Sequence, residues 1–83
     1  MSDEYVVRSP APGVFYRRPD PESAPFVSEG DVVEDGGVVG IVEVMKQFYD
    51  VQSEVRGRVR SFAVDDEGVV GAGDVVAALD PAD

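Results

Sequence analysis

The chain has 83 residues, a formal net charge of −10, and neither cysteine nor histidine. That length makes one small domain, 1–83, with a modest core. The missing residue types exclude disulfides, thiolate or imidazole metal sites, and Ser-His-Asp or Cys-His nucleophile systems. The acidic excess speaks against nucleic acid and against an anionic membrane, because both demand basic residues. It suits a solvated surface, with steering toward a basic partner as the alternative. No apolar run approaches the ~18 residues of a membrane span, and the start, M-S-D-E-Y, resembles no signal peptide. A cytoplasmic protein is expected.

Residues 1–4 read as a frayed start. Tyr5-Val6-Val7-Arg8 is a short β-prone run, stopped by Ser9-Pro10-Ala11-Pro12-Gly13. Val14-Phe15-Tyr16 is β-prone again. Residues 17–25, R-R-P-D-P-E-S-A-P, hold three prolines and four charges. Such a segment is neither helix nor central strand and must be an exposed excursion. Phe26-Val27 rejoins the apolar pattern, and Gly30, Gly36 and Gly37 punctuate around Val32-Val33. Val38 to Val42 reads as a buried strand.

In the second half, Val55 to Arg60 alternates with period two, setting Arg56, Arg58 and Arg60 on one exposed face beside acidic neighbours. Phe62-Ala63-Val64 continues the run. Asp65-Asp66-Glu67-Gly68 is a turn, Val69-Val70 and Val75 to Leu79 are strands, and Gly71 to Asp74 turns between them.

The halves resemble each other. A shift of 37 places Val27 on Val64, Val33 on Val70, Gly36 on Gly73, Val39 on Val76 and Val42 on Leu79. Gly13 pairs with Gly57 only at a shift of 44. The seven extra residues of the first half then fall in the proline-rich excursion. Two similar units of short strands indicate an all-β sandwich or flattened barrel.

The stretch Ile41 to Gln52 lies at the middle and carries the sole lysine, Lys46. Ile41, Val44, Phe48 and Val51 fall at helical spacings, but β-branched and aromatic composition beside glycines favours strand. Twelve residues exceed the usual strand of ~5–6, so a reversal lies inside. No Gly, Pro or Asn marks it. The least apolar dipeptide near the centre is Lys46-Gln47, and a turn without turn residues points to function. Met45 and Phe48, taken singly, read as core side chains. Asp31, Glu34 and Asp35 lack calcium-loop spacing, Gly36 to Gly40 is no dinucleotide loop, and no metal site is expected.

Glu43-Val44-Met45-Lys46-Gln47 resembles the E-A-M-K-M attachment motif of biotin carboxyl carrier domains. Ser9-Pro10, Gly13, Phe15-Tyr16-Arg17, Pro19, Pro21 and Phe26-Val27 resemble the carrier of acetyl-CoA carboxylase, and the likeness spans roughly residues 6–80. The resemblance implies a flattened β-barrel of two four-stranded antiparallel sheets with quasi-twofold symmetry. It implies an attachment hairpin at about 41–52 with Lys46 at its tip. It also implies a protruding thumb at about 16–26, built from Tyr16, Arg17, Arg18, Pro19, Asp20, Pro21 and Glu22, that lies against the biotin. Biotin protein ligase would attach biotin to Lys46. Biotin carboxylase would carboxylate its ureido nitrogen, and the arm would carry the group to a carboxyltransferase. The domain itself would be a monomeric carrier without catalytic residues.

Val44 and Gln47 depart from the motif's Ala and second Met, which bears on ligase recognition. The long Ala/Pro linker that usually precedes such a domain is absent, so a free-standing carrier or an excised domain is expected. The nearest alternative is a lipoyl carrier, which shares the fold but typically shows D-K and lacks the thumb. An unmodified interaction module is the third reading.

Overall fold

Short β-branched runs between glycine and proline turns can bury one face each, and they do so here as eight strands. The computed structural model describes residues 4–81. The strands are β1 (Tyr5–Arg8), β2 (Gly13–Tyr16), β3 (Val32–Val33), β4 (Val38–Val44), β5 (Gln47–Gln52), β6 (Gly57–Phe62), β7 (Gly68–Val70) and β8 (Val75–Pro81). Two four-stranded antiparallel sheets form, in the orders β1-β8-β6-β3 and β5-β4-β2-β7. Each strand of one sheet has its counterpart at the same place in the other, which is the quasi-twofold barrel expected. Of the expected frayed start, only Glu4 is described; residues 1–3 lie outside the described residues.

The core is itself a set of symmetry mates. Val33/Val70, Val39/Val76 and Val42/Leu79 stand 37 apart, and Val7/Val51 and Phe15/Val59 stand 44 apart; all ten are buried. The two shifts belong to the two sides of the thumb. The hydrogen bonds repeat likewise. Buried Ser9 and Ser53 each donate from Oγ to the carbonyl two residues on, Ala11 and Val55, at 2.6 Å. Gly36 N–H donates to Ser53 O at 2.7 Å, and Gly73 N–H to Ser9 O at 2.9 Å. Gly36 and Gly73 stand at φ +85° and +86°, where a side chain is strained.

One mated pair differs in size. Phe15 replaces the valine of the other half, and a Cβ at Gly40 would run into its ring. Gly40's own mate is Ala77, so the larger ring sits with the smaller neighbour, as dense packing requires.

Two strands end elsewhere than the pattern indicates. β6 starts at Gly57 and stops at Phe62, so Ala63 and Val64 lie beyond it, and β8 runs through Asp80 to Pro81. Pro81 is tolerated because it closes the strand. The arginine face is as read. Arg58 donates to Gly30 O at 2.6 Å, Arg56 pairs with Glu34 at 3.1 Å, and Arg60 pairs with Asp80 and, at 3.0 Å, with Glu4. These exposed pairs contribute little to stability, but they neutralise the arginines locally.

Candidate functional site

The hairpin β4–β5 carries Lys46 at its apex. Its register is set at the base, where Ser53 N–H donates to Gly37 O at 2.9 Å and the ladder carries a bulge between Val38 and Gly40. From there the pairs run without interruption to Val44↔Gln47. Two residues remain to close the loop, Met45 and Lys46, at φ 51° and 69°. Both occupy the left-handed region, the pattern of a type I′ turn, which normally takes Asn-Gly. The reversal therefore lies one residue before the expected Lys46-Gln47. The base of the hairpin counts it onto Met45-Lys46, whatever those residues prefer locally. Side chains there cost roughly 1–2 kcal/mol each, and such strain persists where surrounding structure over-determines it.

The tip extends beyond the packed body. Val44 is half-buried against the core, whereas Met45 is 91% exposed. Lys46 and Gln47 are exposed too. Among the described residues, no carboxylate lies within ion-pair distance of Lys46. Its amine is free of any local counter-charge that would hold it down. Val44, where the attachment motif has Ala, thus adds methyl groups on the inner side of the hairpin. Gln47, where the motif has Met, is the departure that faces solvent.

Met45 and Phe48, read singly as core residues, are both exposed, Phe48 by 60%. The helical stripe that joined Phe48 to Ile41, Val44 and Val51 does not exist, because the segment is strand. Period two puts Ile41, Glu43 and Phe48 on the outer face of the sheet, with Glu43 opposite Phe48. That face is roofed in part by the excursion after Tyr16, which forms no regular secondary structure. Phe26 N–H donates to Arg17 O at 2.8 Å and closes its neck. Asp20 shapes its end, accepting from Glu22 N–H at 2.9 Å and from Ser23 Oγ at 2.8 Å. These bonds hold the Asp20 carboxyl below its ordinary pKa, the Ser23 hydroxyl contributing most. Pro19, Pro21 and Glu22 are exposed.

Between this thumb and the hairpin strands lies a cleft of about 240 Å³. Arg18, Pro19, Asp20 and Pro21 line it from the thumb, Tyr16, Ile41, Glu43 and Phe48 from the strands, and Asp66 and Glu67 from the turn before β7. Its wall mixes an apolar strip with hydrogen-bonding groups, the usual make-up of a small-molecule site. Glu43, Tyr16 and the thumb residues were singled out in the sequence; Phe48 was read otherwise, and Ile41, Asp66 and Glu67 were not seen. A signal existed for the backbone of Glu67 alone. The 37-residue shift sets Glu67 on Gly30, and Glu67 does adopt φ 69° against +96° for Gly30. Among the described residues, no group of three or more His, Cys, Asp or Glu is placed to hold a metal ion.

Tyr16 ends β2, pairs with Ile41, and donates its hydroxyl to Glu43 Oε1 at 3.1 Å. This bond, with partial desolvation and the charges of Glu43, Glu67 and Asp66, raises the phenol above its ordinary pKa of 10.0. The folded tyrosine thus holds its proton more tightly than the unfolded one. The stability that this supplies is complete below pH 10.0 and is lost as pH rises through the raised value. Glu43→Gln is expected to move the Tyr16 transition to lower pH in an ultraviolet phenolate titration, with Tyr16→Phe identifying that transition. An unchanged titration in Glu43→Gln would show that the bond does not form.

The chain is similar to known proteins in sequence and in fold. The biotin/lipoyl family model, described as "Biotin-requiring enzyme", matches residues 5–79. The biotin carboxyl carrier protein of acetyl-CoA carboxylase from Pseudomonas aeruginosa is 45% identical over 60 residues, 72% of this chain and 38% of that protein. Its Haemophilus influenzae counterpart is 39% identical over 72 residues, 83% of this chain and 46% of that protein. The chain therefore spans less than half the length of these curated relatives. The crystal structure of Kluyveromyces lactis urea carboxylase contains a similar fold at a TM-score of 0.79 and 30% identity, over 95% of this chain and 6% of that one. From β1 almost to the end of β8, the chain belongs to the biotin/lipoyl attachment family.

Proposed function

We propose that this chain is the biotin carrier domain of an acetyl-CoA-type carboxylase, with biotin joined by an amide to Lys46. The observation that carries this reading is the placement of the sole lysine at the apex of a projecting, left-handed two-residue turn. The relatives' names support biotin over lipoate, and Met45 before the lysine agrees with that choice.

The chain's own part is to bind, present and release. A biotin protein ligase supplies an activated acyl group. The Lys46 amine, once it has given up its proton, attacks that carbonyl; the leaving group departs and an amide remains. The lysine loses its charge in the process. Bound biotin supplies the ureido nitrogen that accepts and yields a carboxyl group, so the domain needs no catalytic side chain. The rigid hairpin keeps the attachment point in front of the body, where a biotin carboxylase and then a carboxyltransferase, in the cytoplasm, can take the arm. The cleft beside Glu43 and Phe48 has room and polarity for a small ring with hydrogen-bonding edges.

The test is the intact mass after co-expression with a biotin ligase or with a lipoyl ligase. A biotin adduct on the wild-type chain that is absent from Lys46→Arg is expected. A lipoyl adduct would replace this reading with a lipoyl carrier, and no adduct with either enzyme would leave an unmodified module.

A further inference from the structure

The quasi-twofold supplies an internal control for the turn that ends at Glu67. Its mate, 37 positions earlier, ends at Gly30, and both end residues are left-handed. Each donates its N–H across the barrel, Gly30 to Val59 O at 2.8 Å and Glu67 to Phe15 O at 2.7 Å. The backbones match, but the side chains one residue earlier do not. Glu29 is exposed, whereas its mate Asp66 is half-buried. Asp66 Oδ1 accepts from Arg17 N–H at 2.9 Å, and Oδ2 lies 3.5 Å from Arg18 Nε.

Beyond the strand pairing and the Tyr16–Glu43 bond at its root, the thumb's hydrogen bonds and ion pairs to the body, among the described residues, go to Asp66. Its neck and tip bonds run within the thumb itself. Beyond Asp66, it touches the body where the Arg17 guanidinium lies 4.0 Å over the Phe62 ring. Arg17 Nε and Arg18 Nε are shielded from solvent and make no hydrogen bond. The Asp66 carboxylate is thus the polar group that locates both arginines, and with them the thumb's share of the cleft lining. A thumb occurs in only one half of the repeat, and only the turn beneath it offers this clasp.

We propose that Asp66 is the positioning residue of the thumb, holding it over the hairpin so that the cleft beside the attachment strand is formed before a partner docks. The functional half of this proposal rests on the biotin-carrier reading. A thumb that is not held must be ordered by the partner at the moment of binding, which weakens association and leaves the later step alone.

The experiment compares wild-type, Asp66→Ala, Asp66→Asn and Glu29→Ala chains. An arginine-specific protease reads the Arg17–Arg18 bond, and Arg58 and Arg60 within β6 report whether the barrel stays folded. Asp66→Ala is expected to open Arg17–Arg18 at least tenfold faster, with β6 still protected. Asp66→Asn retains an acceptor for Arg17 N–H and is expected to fall between, and Glu29→Ala to match wild type. With the biotinylated chains as substrates of a biotin carboxylase, Asp66→Ala is expected to raise KM fivefold or more with kcat within twofold. Equal protection of Arg17–Arg18 in Asp66→Ala and wild type would overturn the clasp. An opened bond with unchanged KM would overturn its role in the reaction. A wild-type chain that takes no biotin sinks the carrier reading instead, and the protease arm still decides whether Asp66 holds the thumb.

Discussion

Replacing Met45-Lys46 by Asn-Gly is expected to give a domain that melts higher and accepts no acyl group. The two residues hold φ 51° and 69° in a two-residue loop, where Asn-Gly is the favoured pair. Relief of about 1–2 kcal/mol is expected, since glycine has no left-handed penalty and asparagine a small one. For a domain of this size, each kcal/mol moves the melting temperature by about 4–8 °C. Thermal melting and intact mass after co-expression with the ligase check both halves together. A lower melting temperature would mean that Met45 or Lys46 contributes a contact worth more than the strain. The natural pair is therefore a local weakness that sets an amine at the apex and a thioether beside it.

The second large effect lies in the core. Phe15 is 0% exposed and has the ring against which a Gly40 side chain would collide. Phe15→Ala is expected to cost about 3–5 kcal/mol. An 83-residue domain has a total stability of roughly 4–12 kcal/mol, so much of the margin disappears. Urea midpoints at constant m value measure this, and a loss below about 1 kcal/mol would show that the site collapses around the void. The packing argument has its own check. Phe15→Val with Gly40→Ala installs the residues found at the symmetry-related positions, Val59 and Ala77. The double variant is expected to be more stable than the two single changes summed, by about 1 kcal/mol or more. The recovery is partial because the new Cβ still lies 2.8 Å from Tyr16 O.

Much of this was legible before any coordinates. The valine and glycine repeats indicated paired halves, and the mismatch between shifts of 37 and 44 located the insertion between Tyr16 and Val27. The same comparison, carried one step further, pairs Val7 with Val51 and Phe15 with Val59 and completes the core. Side-chain exposure at the tip was not legible. Phe48 sits in an apolar run and scores as core by type, yet the hairpin carries it outside the barrel, under the thumb. Asp66 likewise read as one acid in an acidic turn. Nothing in D-D-E-G says that an arginine pair 49 and 48 positions earlier will come down onto it.

The division has a physical cause. Sequence alone determined the strands, the two halves, the insertion and the identity of the one amine, because those follow from side-chain type, period and spacing along the chain. Only the tertiary structure decided where the hairpin reverses and what the thumb rests on. The reversal on Met45-Lys46 is set by hydrogen bonds at the opposite end of the hairpin, against the local preference of both residues. The thumb's seat is set by a turn from the other half of the repeat. Both are contacts between segments far apart in the chain, and no local pattern records them.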